Sequence, residues 1–301
     1  MALTTTTAAN VLHDVIAPGF VEGVYRQTAP ISLFGNPIGP FGNTSRIWKL
    51  NSSGNTSTSL YSEGDSLSGA GNQGWSSAAD PYLAVRYEVE ATGHAKAALR
   101  EGARDVDALG EEFILGQKDM IDLVATTIQS GTNGMETAVD STATYAGVTR
   151  GSATWFESAE TAVNGQLAVT DGLDLIETMA DNDRGSNIQN SVWLMPWNQY
   201  TNMYNLTGGP AAQMIDDADK VPGYLGQTFA RIPVIPVPSM TDTVIMLLDL
   251  SFGNWEMIEH QELMVHDQGR SGDADLYLVT YMFKLVCKNP KMQGKLTGVT
   301  A

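Results

Sequence analysis

The chain has 301 residues, 43% of them hydrophobic, with 17 Lys+Arg against 34 Asp+Glu, a formal net charge of −17 and a single cysteine, Cys287. That length buries a sizeable core and allows two domains or one large one, and apolar content spread this evenly excludes intrinsic disorder. One cysteine excludes a disulfide framework and a multi-cysteine zinc site, and the acidic balance excludes a dedicated nucleic-acid binder, whose affinity comes from clustered Lys and Arg.

No run reaches the roughly 18 apolar residues of a membrane-spanning helix, and Met1–Thr7 lacks the basic-then-apolar order of a signal peptide. The first 45 or so residues are low in charge and interleave Pro18, Pro30, Pro37 and Pro40 with glycines, while Val15, Ile16, Val24, Ile31, Leu33 and Phe34 keep no period. Such a stretch is expected to be an extended arm that needs another surface, often a second copy, to cover its side chains.

Residues 46–95 predict two strands around a long polar tip. Arg46–Leu50 and Tyr82–Val89 alternate, and the residues between them are rich in Ser, Gly, Asn and Thr. Hairpin loops ordinarily run about two to five residues, so a loop this long is expected to be functional. A helix is predicted from about Asp105 to Gln129, with a stripe of Val106, Leu109, Phe113, Met120, Val124 and Ile128 that Ile114 and Ile121 widen. At 1.5 Å per residue it is about 37 Å long. Gly110 and Gly116 favour a bend, and Gly131 is a natural stop.

The middle of the chain predicts mixed α/β structure. Thr170 or Asp171 can cap a helix with the face Leu173, Ile176 and Met179. Val192–Met195 predicts a short buried strand, and Pro196 opens a helix to about Leu206. Arg231–Val237, with Pro233 and Pro236, suits an edge strand or a turn. Thr243–Leu250 has strand length, and two long strands near 255–266 and 276–287 flank a turn at Ser271–Asp273.

Strings that mimic catalytic signatures lack their context. Gly64-Asp65-Ser66-Leu67 spells an esterase nucleophile block, but the residues three before His13, His94, His260 and His266 are Asn10, Ala91, Met257 and Leu263, so no acidic partner orients a base. Gly69-Ala70-Gly71-Asn72-Gln73-Gly74 fits a dinucleotide fingerprint but sits in a polar loop with no helix to receive a pyrophosphate. His260, Glu262 and His266 share one strand face but span about 20 Å, too far for one ion, and read as solvated polar residues. Asp216, Asp217 and Asp219 lack the glycine and distal glutamate of a calcium loop. The expectation is no enzyme, no catalytic or metal residues and no cofactor.

The order of these elements resembles the major capsid proteins of tailed bacteriophages, which have the Hong Kong 97-like fold. Tyr61-Ser62-Glu63-Gly64-Asp65 resembles the acidic element of that family's extended loop, and Ala91-Thr92-Gly93-His94 is similar to the end of its second arm. Val192–Pro196 with the following helix, Leu225-Gly226 with Ile232–Ile235, and the tail from Lys288-Asn289-Pro290 to Gly298-Val299 resemble further segments of that fold.

The resemblance implies an α+β chain: an N-terminal arm at 1–45, an extended β-hairpin loop at 46–95, a peripheral domain with a long spine helix at 96–160 and 256–301, and an axial domain at 161–255. It implies a structural protein that assembles into the icosahedral shell around a tailed phage's double-stranded DNA, in the virion capsid after assembly in the host cytoplasm. Candidate intersubunit contacts are Glu63, Asp65 and Trp75 in the loop and Phe20, Tyr25 and Phe34 in the arm. Expected partners are further copies in hexamers and pentamers, a separate scaffolding protein (the family's scaffolding segment does not precede the arm here), a portal, a decoration protein and, weakly, the packaged DNA; no membrane is expected. The alternatives are an encapsulin-type compartment protein, which the prolines of the arm disfavour, a decoration or tail protein, and a GDSL-like hydrolase.

Overall fold

The two longest strands, β9 (Trp255–Ser271) and β10 (Ala274–Cys287), form an antiparallel hairpin about a tight turn where Gly272 takes φ +62°, a left-handed conformation open to glycine without strain. The computed structural model describes residues 31–34, 37–40, 42–53, 74–92, 108–181, 190–206, 228–238, 240–251, 253–272 and 274–300. Register shifts at Leu276/Tyr277 and on both sides of Met282 interrupt the β9–β10 ladder. The strand β3 (Leu83–Thr92) lies on the other side of β10, giving the order β3-β10-β9.

The helix α1 (Ala108–Ser130) packs against this sheet through Phe113, Met120, Ile121, Val124 and Ile128, all buried as the apolar stripe predicts. Ile114 departs from the expectation. It is 65% exposed, while Ile121, seven residues on and on the same helix face, is buried. Gly116 has a packing role: a Cβ there would lie 2.4 Å from Tyr87 Cε2, so glycine lets the helix approach β3, where Tyr87 Oη donates to the Phe113 carbonyl (3.2 Å). The helix stops at Ser130, and the N–H of Gly131 bonds the Thr127 carbonyl (3.1 Å). A one-turn helix α2 (Met135–Ala138) follows.

A second, mixed sheet has six strands: β4 (Ala159–Gln166), β5 (Ser191–Met195), β6 (Thr228–Phe229), β7 (Ile232–Pro236), β8 (Ile245–Asp249) and β11 (Gly294–Thr300), in the order β4-β11-β8-β5-β7-β6. Its central strands β5 and β8 are buried throughout because both faces are covered. Val192, Leu194, Met246 and Leu248 join the core shared with α1, while Trp193, Met195, Ile245 and Leu247 join a second core under α3 (Val169–Met179) and α4 (Trp197–Leu206). Trp193 Nε1 donates to the Phe229 carbonyl (3.0 Å), which satisfies its buried donor.

β11 pairs with β4 and β8, so residues 294–300 and 159–166 lie in the six-stranded sheet. Three expectations are corrected here. β7 is not an edge strand: it lies between β5 and β6, and only residues 232 and 233 pair with β6. α3 is capped at Ala168, whose N–H donates to Asp171 Oδ2 (2.7 Å) from the third helical position, and its buried face is Gly172, Leu175 and Met179. Leu173 is exposed, because Gly172 allows Phe229 to press on the helix one residue earlier.

Candidate assembly surface at the hairpin root

The strand β1 (Ser45–Ser53) pairs antiparallel with β2 (Gly74–Pro81), and these two strands form a sheet of their own. This corrects the expected partner of the first arm. The strand at 83–92 turns away at Tyr82 and joins β10, so the hairpin's second arm is 74–81. Alternation sorts the hairpin's side chains. Trp48, Leu50, Ala78 and Asp80 face the body and are buried, while Ile47, Lys49, Asn51, Trp75, Ser77 and Ala79 are exposed.

Two ionic anchors hold the root. Arg46 on β1 pairs with Glu256 on β9 (Nη2–Oε2 3.1 Å), and Glu256 also pairs with Lys288 just beyond β10. Deeper in, Asp80 and Lys284 on β10 meet at 3.1 Å, and Asn133 Nδ2 donates to the same Asp80 Oδ1 (2.9 Å). Burial pushes the Asp80 carboxyl up and the Lys284 ammonium down, and each partner's charge offsets part of the other's shift. A lone lysine in the apolar run Tyr281-Met282-Phe283-Lys284-Leu285-Val286 is the sequence signal for this pair, but nothing local points to Asp80.

A cavity of about 420 Å³ opens beside the root, lined by Trp48, Trp75 and Trp155 and by Lys49, Lys288 and Lys291. A second, of about 450 Å³, lies next to it under Leu33, Phe34 and Ile38. Ile38 docks on β9 by two backbone bonds, from its own N–H to the Met257 carbonyl (2.9 Å) and from the Glu259 N–H to its carbonyl (3.1 Å). Arg150, behind the root, is fully buried and donates to the carbonyls of Thr137 (3.0 Å), Ala138 (2.7 Å) and Asp140.

Trp75 is 62% exposed at the lip of the first cavity. Phe34 is half-buried against Trp255 of its own chain (ring centroids 5.1 Å). Phe20, Tyr25, Glu63 and Asp65 lie outside the described residues, as do Ser66, Gly69, Gly71 and the aspartates at 216, 217 and 219. His260 is not a freely solvated residue: it is half-buried and stacks on Tyr82 (4.3 Å, 10°), at the point where the hairpin leaves the sheet. Among the described residues no group of three or more His, Cys, Asp or Glu could hold a metal, and no described helix is long and apolar enough to cross a membrane. Cys287 is buried, which pushes its thiol up and away from reactivity.

Arg46, Glu256 and Lys288, and deeper in Asp80 and Lys284, are spent on structural pairs. A family model described as SU10 major capsid protein matches residues 87–300. Solved structures similar to this chain include the capsid of cyanophage A-1(L) (TM-score 0.71, 13% identity, 91% of this chain and 93% of that one). The capsid of a native GTA particle (0.65, 16%, 91% and 91%) and the capsid of Myoviridae phage XM1 (0.57, 11%, 90% and 92%) are also similar. No curated protein matches the sequence.

Proposed function

The chain belongs to the SU10 major capsid protein family and has the Hong Kong 97-like fold, and from that premise we propose that its copies close into the icosahedral shell of a tailed phage as hexamers and pentamers. The match over residues 87–300 carries this reading, because it spans the six-stranded sheet, all but the start of the three-stranded sheet, and the long helix. The hairpin supports it. The outer face of the ribbon, with Ile47 and Trp75 exposed, gains little for the monomer and gains much when a neighbour covers it.

In this reading the arm and the hairpin tip of each copy cross to neighbours, with Glu63, Asp65 and Trp75 among the contacts and Phe20 and Tyr25 in the arm. Obligate assemblies bury upward of about 2,000 Å², and many weak contacts become a stable shell through multiplicity. A separate scaffolding protein and a portal act during assembly in the host cytoplasm, and a decoration protein binds the finished shell. A net charge of −17 suits a container from which DNA must be released. The protein expressed with its scaffolding protein should give closed shells by negative-stain microscopy. A species that stays monomeric in light scattering at high concentration, with scaffold present, rules the reading out.

A further inference from the structure

The cavity at the hairpin root gathers positive charge and aromatic surface on a chain whose net charge is −17. Lys49, Lys288 and Lys291 line it, and no described Asp or Glu does. Lys288 is paired with Glu256, but among the described residues neither Lys49 nor Lys291 has a carboxylate within ion-pair distance. A concave site lined by one sign of charge focuses its field and concentrates counter-ions. The indoles are set around it. Trp155 belongs to a fixed wall, because it packs on Phe156 (ring centroids 5.7 Å), which is itself buried against Tyr145 and Arg150. Trp75 stands exposed at the lip. Trp48, 8% exposed, adds a buried indole N–H that has no acceptor among the described residues.

These groups ask three things of one occupant: negative charge for the lysines, a flat face for the Trp75 ring, and an acceptor for the Trp48 N–H. An acidic peptide or inorganic phosphate would use the lysines and leave the indole bare, and an uncharged ring would leave the lysines bare. A nucleotide carries an anion, a π-face and acceptor atoms in one molecule, and a cavity of about 420 Å³ is of the size that holds small ligands. We propose that the cavity binds a nucleotide unit, with its base lying on the Trp75 indole and its phosphate paired by Lys49 and Lys291. The bases of a duplex are already stacked and paired, so the ligand is a free nucleotide or an unpaired strand and not packaged double-stranded DNA. The lining residues all come from one chain, so binding does not wait for assembly. Lysines in contact with solvent make the affinity fall as salt rises.

The test uses the unassembled full chain. Three of its six tryptophans line the cavity, so tryptophan fluorescence, corrected for nucleotide absorbance and checked by calorimetry, reads occupancy. The probes are AMP, adenosine, ribose 5-phosphate, pentaglutamate and a short single strand of deoxyadenosine. AMP should quench saturably and more weakly at higher salt, while adenosine and ribose 5-phosphate should each bind about tenfold or more weaker. Trp75→Ala, and Lys49→Gln with Lys291→Gln, should each weaken AMP about tenfold, and Trp75→Phe should recover most of that loss. Lys288 is left alone because it anchors the hairpin through Glu256. Trp197→Ala, at an exposed tryptophan on α4, should change nothing. A strand that binds much tighter than AMP assigns the site to unpaired nucleic acid, and a strand no tighter per nucleotide assigns it to free nucleotide; both support the proposal. No saturable binding of AMP or strand at millimolar concentration, ribose 5-phosphate or pentaglutamate binding as tightly as AMP, or an AMP affinity indifferent to both Trp75→Ala and the lysine pair would each overturn it, and none of these results bears on whether the copies form shells.

Discussion

Asp80 and Lys284 lie 3.1 Å apart with their side chains 0% and 2% exposed, and through them the second arm of the hairpin is bound to the central strand of the neighbouring sheet. A desolvated pair contributes little net stability, but its loss on one side leaves a bare charge in the core. Lys284→Met should therefore cost about 3–5 kcal/mol in urea unfolding, and Asp80→Leu with Lys284→Met together should cost much less. A double variant as unstable as the single one would show that the pair is not what makes Lys284 necessary.

Arg150 collects three carbonyls at the end of α2 and lies over the Tyr145 ring, 5.2 Å from its centroid. Arg150→Met should cost about 2–5 kcal/mol, because the carbonyls stay buried without donors. Arg150→Lys should not restore the loss, since an ammonium lacks the planar fork that reaches Thr137 and Ala138 together. Denaturant titration measures both.

Gly116→Ala should destabilise, although alanine is the better helix former by about 1 kcal/mol. The new methyl would sit 2.4 Å from Tyr87 Cε2 and 3.1 Å from its Cζ, and overpacking of this kind costs about 1–3 kcal/mol. Tyr87→Ala should remove the penalty. A thermal melt showing Gly116→Ala more stable in the wild-type background would contradict this account of α1 against β3.

Asp140 carries an acid-dependent contribution. Burial alone would raise its carboxyl, but Lys295 Nζ (2.6 Å) and the N–H groups of Ala143 (2.7 Å) and Thr142 (2.8 Å) outweigh burial and hold it at about 2, against an ordinary 3.8. A carboxyl lowered in the folded state stabilises above its unfolded value, and that stabilisation is lost as pH falls toward the folded value. The gap in Tm between wild type and Asp140→Asn should be full above about pH 5 and close between roughly pH 4 and pH 2. A gap unchanged across that window would sink the assignment.

Shortening the hairpin tip separates folding from assembly. Ser53 and Gly74 are already partners, with the Gly74 N–H donating to Ser53 Oγ (3.0 Å), so a tight Asn-Gly turn in place of residues 54–73 should cost the fold about 1 kcal/mol or less. The shortened protein should melt cooperatively near wild type and make no closed shells. Phe113→Asp, by contrast, charges a residue that is 1% exposed between Tyr87 and Tyr277, and it should be insoluble. Normal shells from the shortened protein would remove the tip from the assembly surface.

Elements whose identity rests on local pattern were legible in the sequence. The 3.6-residue stripe from Phe113 to Ile128 is α1, the apolar run Val192–Met195 is β5, and the alternating pattern after Trp255 is a long hairpin with a glycine at its turn. Such patterns need no knowledge of a partner, because helix and strand periods are properties of a few consecutive residues. Pairing is different. That β1 takes 74–81 and leaves 83–92 to β10, that β11 closes the six-stranded sheet, and that Arg46 meets Glu256 across 210 positions depend on which remote surfaces bury each other's apolar faces. Asp80 shows the difference most plainly. In the sequence it is one acidic residue before a proline, and only the packing of β2 over β10 removes it from water and makes Lys284 its counterion.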